Sequence, residues 1–440
     1  MKDHSLIYSM GRNYKRNEVF TPNSYPKYTY VEQEGKDLEE KLNKALETHG
    51  EVISLAGPSK SGKTVLIENV VDENLLIKVL GSTIDSKVTF WKNVLDEMGV
   101  AHSLEETHES TEEHKLSTRV LAKLGLSSFI GAEAETSAEH THIDSLGETE
   151  VYDRVGISKT IEELQNGDYL LLIDDFHYID KSVQEDLAEV IKEIPHQGIS
   201  IGVALVPHRS EDILRGNPDL RGRVQPLDIG YWDIGDLKRI AEKGFRKLNV
   251  DVDDVLNTKL AEEAAGSPQL MQRLCLEACY VYDVIDSHNS TNIIRAESDK
   301  IENIYKRTVG YTSHERTVDI LDSGKESRGE GRTVWKFRDG SEGDYYNCIL
   351  RAIGSNPVQR SFNAKELKER MDSICIGDPP ATNQIKSGCG HMDDLCEDKL
   401  PNEWPLDWDR QKEELHIPDP YFLFYLRWSD HIGQLPTITV

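Results

Sequence analysis

An α/β fold built on a parallel sheet is predicted by three observations. Short apolar runs alternate with helical patterns over residues 51–206, the signature of a sheet covered by helices on both faces. One run leads into Gly57-Pro-Ser-Lys-Ser-Gly-Lys-Thr64, a complete G-x-x-x-x-G-K-T loop. A second, Asp168-Tyr-Leu-Leu-Leu-Ile-Asp-Asp-Phe-His177, ends in two carboxylates.

The elements follow in chain order. Residues 1–36 are polar and irregular, and a helix with Leu38, Leu42 and Leu46 on one face comes next. Residues 51–56 are apolar, as a buried strand requires, and the stretch from Thr64 continues as a helix. Strand, glycine-rich loop and helix in this order form a phosphate cradle of successive backbone N–H groups at a helix N-terminus. Gly57, Pro58, Ser59, Lys60, Ser61, Gly62, Lys63, Thr64 and Val65 are therefore the expected nucleotide-binding residues, with Lys63 on the β/γ-phosphates and the Thr64 hydroxyl on Mg²⁺. Residues 75–80 are a second strand and 89–98 a helix; 155–166 form a helix, 169–173 the third strand, 183–194 a helix and 199–206 the fourth strand. Asp174 at the end of the third strand is expected to hold Mg²⁺ through water, and Asp175 to orient or deprotonate the attacking water.

Residues 101–150 are acidic and rich in Ala, Ser and Gly, which predicts a partly flexible insertion within a core of residues 37–232. Residues 233–311 carry three helical patterns (233–248, 253–265 and 268–285) with no strand between them, expected to form a helical lid. Residues 312–344 are charged and Gly-rich, as a linker is. Residues 345–440 read as three helices (345–353, 364–374, 382–398) closed by strands at 406–409, 415–417 and 421–426, a small winged-helix-like domain.

Composition sets limits. The 440 residues carry a net charge of −27, and residues 345–440 hold ten Lys and Arg against fifteen Asp and Glu. Bulk attraction to nucleic acid is excluded, so a DNA contact needs a local basic patch. Six scattered cysteines, no span of membrane length and no apolar leader predict a cytoplasmic protein without membrane association. Cys389, His391 and Cys396 lack the paired spacing of a structural zinc site, so buried thiols are the expectation there. His102, His108, His114, His140 and His142 lie among acids, an arrangement fit at most for loose metal binding.

Over roughly residues 27–285 the two motifs resemble the AAA+ and STAND group of P-loop ATPases. The resemblance implies adenine contact by Tyr30 and Val31, within Tyr30-Val-Glu-Gln-Glu34, although the usual arginine is absent. The Asp-Asp pair is similar to that of STAND proteins, and Gly266-Ser-Pro268 resembles their Gly-x-Pro motif, which brings Pro268 and the lid to the nucleotide. The end of the fourth strand holds the place of a γ-phosphate sensor, with His208 the expected residue and Arg209 its rival. Asn217-Pro-Asp-Leu-Arg-Gly-Arg223 resembles the segment that carries an arginine finger, here Arg223 or alternatively Arg221. What is implied is a slow ATPase using ATP and Mg²⁺, acting as a homo-oligomeric switch that signals nucleotide state to a protein partner in bacterial regulation or phage defence. The alternatives are a DNA-linked loader or transposition-type ATPase, with the same core, and a nucleotide sensor that does not hydrolyse.

Overall fold

The structure, a computed structural model, describes residues 13–48, 50–98, 161–206, 218–287, 291–325, 331–400 and 403–433. Two compact units emerge. One contains residues 35–58 and 62–230; the other contains residues up to 34, Ser59–Ser61 and the chain from Tyr231 onward.

The first unit is the predicted α/β core. Five parallel strands, β1 (Val52–Ala56), β2 (Leu76–Leu80), β3 (Leu170–Asp174), β4 (Ser200–Leu205) and β5 (Val224–Asp228), are ordered β2-β3-β4-β1-β5. The strands read as unbroken apolar runs because both faces are covered. Along β3, Leu171 and Ile173 join Phe90, Trp91, Leu187 and Ile191 on one face. Leu170 and Leu172 join Leu42, Leu66 and Ile67 on the other. Helices Lys87–Glu97 and Lys181–His196 thus cover the first face, and Leu38–Glu47 and Lys63–Val70 the second. The phosphate loop follows the end of β1 and the two acids lie at the end of β3, the edge at which such sheets bind ligands.

In the second unit, helices Ile234–Lys247, Asp254–Glu263, Pro268–Val281 and Ser298–Val309 share a core with Val19, Phe20 and Val31, so the described part of the N-terminal segment expected to be irregular packs into this core and includes the helix Arg16–Val19. The helices are not strand-free either: Val250–Val252 pairs in parallel with Asn292–Ile294. Two short strands and the helix Glu315–Ser323 occupy the stretch read as linker, where Val318 and Leu321 are buried. Beyond it come helices Tyr345–Gly354, Ala364–Ile374 and Thr382–Lys399 and the hairpin of Asp407–Asp409 with Glu414–His416, to which Ser361–Asn363 adds a third antiparallel strand.

One element differs in type. Residues 421–426, read as a strand, lie in the helix Pro420–Trp428. An unbroken apolar run is compatible with either state, and its flank decides: Asp419 caps the helix by accepting the Tyr421 N–H, with Pro420 at the first helical position. Among the described residues no helix is long and apolar enough to cross a membrane.

Candidate functional site

β1 ends at Ala56, and Gly57 is pinned to the end of β4 through its N–H to the Leu205 carbonyl (3.0 Å). Helix Lys63–Val70 starts from Gly62, whose φ of +93° places it in the left-handed region that glycine enters without strain. The Lys63 ammonium, with only 6% of the residue exposed, donates to the carbonyls of Gly57 (2.9 Å) and Pro58 (3.0 Å). A buried ammonium folded over its own loop is a cation stored at a place shaped for phosphate.

The two motifs, 110 residues apart, meet at one oxygen. Thr64 Oγ1 donates to Asp174 Oδ2 at 3.1 Å, and the Lys78 ammonium on β2 lies 3.1 Å from that same oxygen. A hydroxyl and a carboxylate are hard oxygen donors, and Mg²⁺ takes few protein ligands while keeping waters and substrate phosphates; the pair fits that ion. One helical turn beyond Thr64, burial pushes the Glu68 carboxyl above the usual range, opposed by Lys78 and reinforced by Glu73 and Asp174.

Asp175 follows with φ +56° and opens the turn Phe176–Tyr178, its carbonyl accepting the Tyr178 N–H at 3.0 Å. The start of the turn after β2 presses against it: a Cβ on Gly81 would stand 2.4 Å from the Asp175 carbonyl oxygen, so only glycine fits. This close approach fixes the backbone from which the Asp175 carboxylate projects.

Other predicted residues are not gathered there. The Arg223 carbonyl accepts the Val52 N–H (2.8 Å), which sets Arg223 beside the start of β1, whereas the phosphate loop follows its end. At ~3.3 Å per residue the strand separates them by roughly 13 Å. Arg223 is exposed, like Arg221, and its guanidinium meets the His196 ring. Within its own chain Arg223 is thus at the opposite edge of the sheet from Lys63. His208 and Arg209 lie outside the described residues, as does the acidic segment with its histidines.

In the second unit, Val31 is buried with Leu237, Ile240 and Ala241, while the half-buried Tyr30 stacks on Tyr25 and its carbonyl receives the Lys243 ammonium at 2.7 Å. Pro268 occupies the first position of its helix. The residue before it makes the contact: Ser267 caps that helix and donates through Oγ to the Lys60 carbonyl (3.1 Å). Trp232 Nε1 donates to the Ser61 carbonyl (2.8 Å), and the Lys60 ammonium pairs with Asp419 (2.8 Å) over the Tyr421 ring. Lys60 has φ +63°, a conformation that costs a non-glycine residue about 1–2 kcal/mol and that these three tethers hold in place. Burial opposes ionisation of Asp419, yet Lys60, His314 and the Tyr421 N–H together keep its carboxyl below the usual range.

Sequence reasoning missed Ser267, Trp232, Asp419 and Lys78. Ser-Pro and Asp-Pro at 267–268 and 419–420 mark two capped helix starts and could have drawn attention to the first and third; nothing local marks Trp232. All six cysteines are buried and unpaired by disulfide, burial driving the thiols of Cys389 and Cys396 upward, the latter to about 12. Among the described residues no three His, Cys, Asp or Glu side chains are grouped to hold a metal.

No protein-family model matches the chain. It is 27% identical over 168 residues to the Holliday junction branch migration complex subunit RuvB of Staphylococcus haemolyticus (strain JCSC1435), a match spanning 35% of this chain and 49%, about half, of that relative. Among solved structures, the Walker-type ATPase paby2304 of Pyrococcus abyssi aligns with 14% identity and a TM-score of 0.47 over 95% of this chain and 99% of that one. Cdc6p of Pyrobaculum aerophilum aligns with 13% identity and a TM-score of 0.38 over 94% and 97%. The fold class itself stands on this chain's own strand order and phosphate loop.

Proposed function

We propose that this chain is a P-loop ATPase of the AAA+ type, a switch that binds and slowly hydrolyses ATP and passes its nucleotide state to a protein partner. The observation that carries the ATPase reading is the convergence of Thr64 and Lys78 on the buried Asp174 carboxylate, beside a loop in which Lys63 is already folded over the phosphate position. In this reading Lys63 and the loop N–H groups bind the β- and γ-phosphates. Thr64 and Asp174 would hold Mg²⁺, which when bound supplies positive charge to the phosphate oxygens. Asp175 orients the attacking water and takes its proton. Tyr30 and Val31 contact adenine, Pro268 brings its helix to the nucleotide through Ser267, and His208 senses the γ-phosphate. Arg223, remote from the loop of its own chain, serves a neighbouring copy, which makes the active form a homo-oligomer. The partner-directed output rests on the tethers from Ser267, Trp232 and Asp419 to the middle of the phosphate loop, and a C-terminal winged-helix-like, STAND-type arrangement and a cytoplasmic setting belong to the same proposal.

The second reading is a DNA-linked ATPase, favoured by the partial match to a subunit named for branch migration at Holliday junctions. The charge balance opposes it: a chain at −27 with an acidic C-terminal segment lacks the electrostatic footprint of duplex binding. Turnover of Mg·ATP with and without duplex or four-way-junction DNA separates the two, together with a salt titration of binding. The switch reading expects turnover indifferent to DNA and weak binding at about 150 mM salt, whereas sub-micromolar binding, tighter than the usual non-specific 10⁻⁴–10⁻⁶ M, assigns the DNA-linked role.

A further inference from the structure

β2 reads Leu-Ile-Lys-Val-Leu, and its central Lys78 interrupts a strand whose neighbour β3 is wholly apolar up to its last residue. A lysine beside such a strand needs a reason, and the structure supplies one. Its ammonium reaches Asp174 Oδ2 at 3.1 Å, the oxygen that also receives the Thr64 hydroxyl. Asp174 is 6% exposed, and a carboxylate so far from water is costly without a counter-charge. Lys78 keeps about a third of its side chain in solvent, so it carries its charge to the acid without being fully desolvated itself.

We propose that Lys78 is a positioning residue, a built-in counter-ion that neutralises Asp174 before nucleotide arrives and competes with the divalent cation for it. The inference rests on the reading that Thr64 and Asp174 take Mg²⁺. A divalent cation held by Thr64 and Asp174 would share that acid with an ammonium 3.1 Å from its Oδ2, and two like charges on one buried carboxylate repel beneath a low-dielectric sheet. Metal binding therefore works against the Lys78–Asp174 ion pair. The site is kept assembled but self-neutralised until Mg·nucleotide outcompetes a lysine, which sets a threshold on cation affinity.

The test compares wild type with Lys78→Met and Lys78→Arg in the full chain. Mn²⁺ binding is read by electron paramagnetic resonance at saturating ADP, and melting temperature is read with and without Mg·ADP. Lys78→Met should melt below wild type without ligand, gain more from Mg·ADP than wild type does, and bind Mn²⁺ about tenfold more tightly. Lys78→Arg should restore wild-type behaviour on all three readouts. If Lys78→Met folds only in the presence of Mg·ADP, the counter-ion role is supported by that fact alone. Mn²⁺ affinity unchanged or weaker in Lys78→Met, with equal thermal gain, overturns the proposal while leaving the metal site standing. Absence of Mn²⁺ binding by wild type with ADP overturns the metal site itself.

Discussion

Both units bury charge, but they satisfy it differently. In the α/β unit Lys63, Thr64, Lys78 and Asp174 gather at the strand ends, with the cations held by loop carbonyls or by one shared carboxylate oxygen. In the other unit Arg427 is closed in completely: it makes a two-point contact with Glu263 (2.7 and 2.9 Å), reaches the carbonyls of Gly354 and Ser355, and meets Asn356, while Trp428 Nε1 also donates to Glu263. Arg360 and Arg370 likewise spend most of their donors on backbone carbonyls. Charges that exhaust one another hold a fold; charges held only by loop carbonyls or by one shared oxygen are exchangeable for a ligand. Substitutions at Glu263 or Arg427 should lower stability, and those at Lys63 or Thr64 should lower binding or turnover with the fold intact.

Arg223 breaks the comparison most sharply, since it belongs to the α/β unit but faces away from its own loop. Arg223→Ala should bind ATP normally and lose about 10³–10⁵ in hydrolysis rate, the effect of a transition-state guanidinium. Lys63→Ala subunits, which keep Arg223, should partly restore turnover when mixed with it. An inactive mixture of folded, associating mutants removes Arg223 from catalysis.

Next in size is Glu263→Gln, which leaves the Arg427 guanidinium buried without its counter-ion. The expected loss is about 3–5 kcal/mol in urea unfolding. A loss under about 1 kcal/mol would show that this pair does not stabilise its unit.

The smallest effect is a pH dependence. Burial first, then Asp407 and Glu397, raise Asp393 to about 6 from its ordinary 3.8, against the Trp408 N–H and Arg410. Because the folded value lies above the unfolded one, its stabilising contribution is complete below pH 3.8 and is lost as pH rises through about 6. Asp393→Asn should therefore raise the melting temperature at pH 8 by about 2–4 °C, a gain that vanishes near pH 4. Equal gains at both pH values would assign the effect to something other than this carboxyl.

The same contrast explains what was legible in the sequence. The α/β unit announces itself because its chemistry is local: a loop whose spacing is set by backbone N–H geometry, and strands whose apolar runs reflect two covered faces. Asp174 and Thr64 could be paired before any coordinates because each sits at a fixed offset within a motif. Lys78 could not, since only the β2–β3 register, which sets Lys78 opposite Leu172, puts a mid-strand lysine within side-chain reach of Asp174 two residues further on. In the other unit the decisive contacts join residues far apart, Glu263 to Arg427 and Lys60 to Asp419, and no local pattern encodes them. Its mistaken strand at 421–426 has a physical source: nine consecutive buried residues carry no periodicity to read.

The central claim, that this loop and its lysine form a nucleotide site, is tested most directly by calorimetric titration of Mg·ATP into wild type and Lys63→Ala. The account predicts saturable binding by wild type and a loss of at least about a hundredfold in affinity for Lys63→Ala, with melting temperatures without ligand little changed. Equal affinity in the two proteins, or no binding by folded wild type, would contradict it.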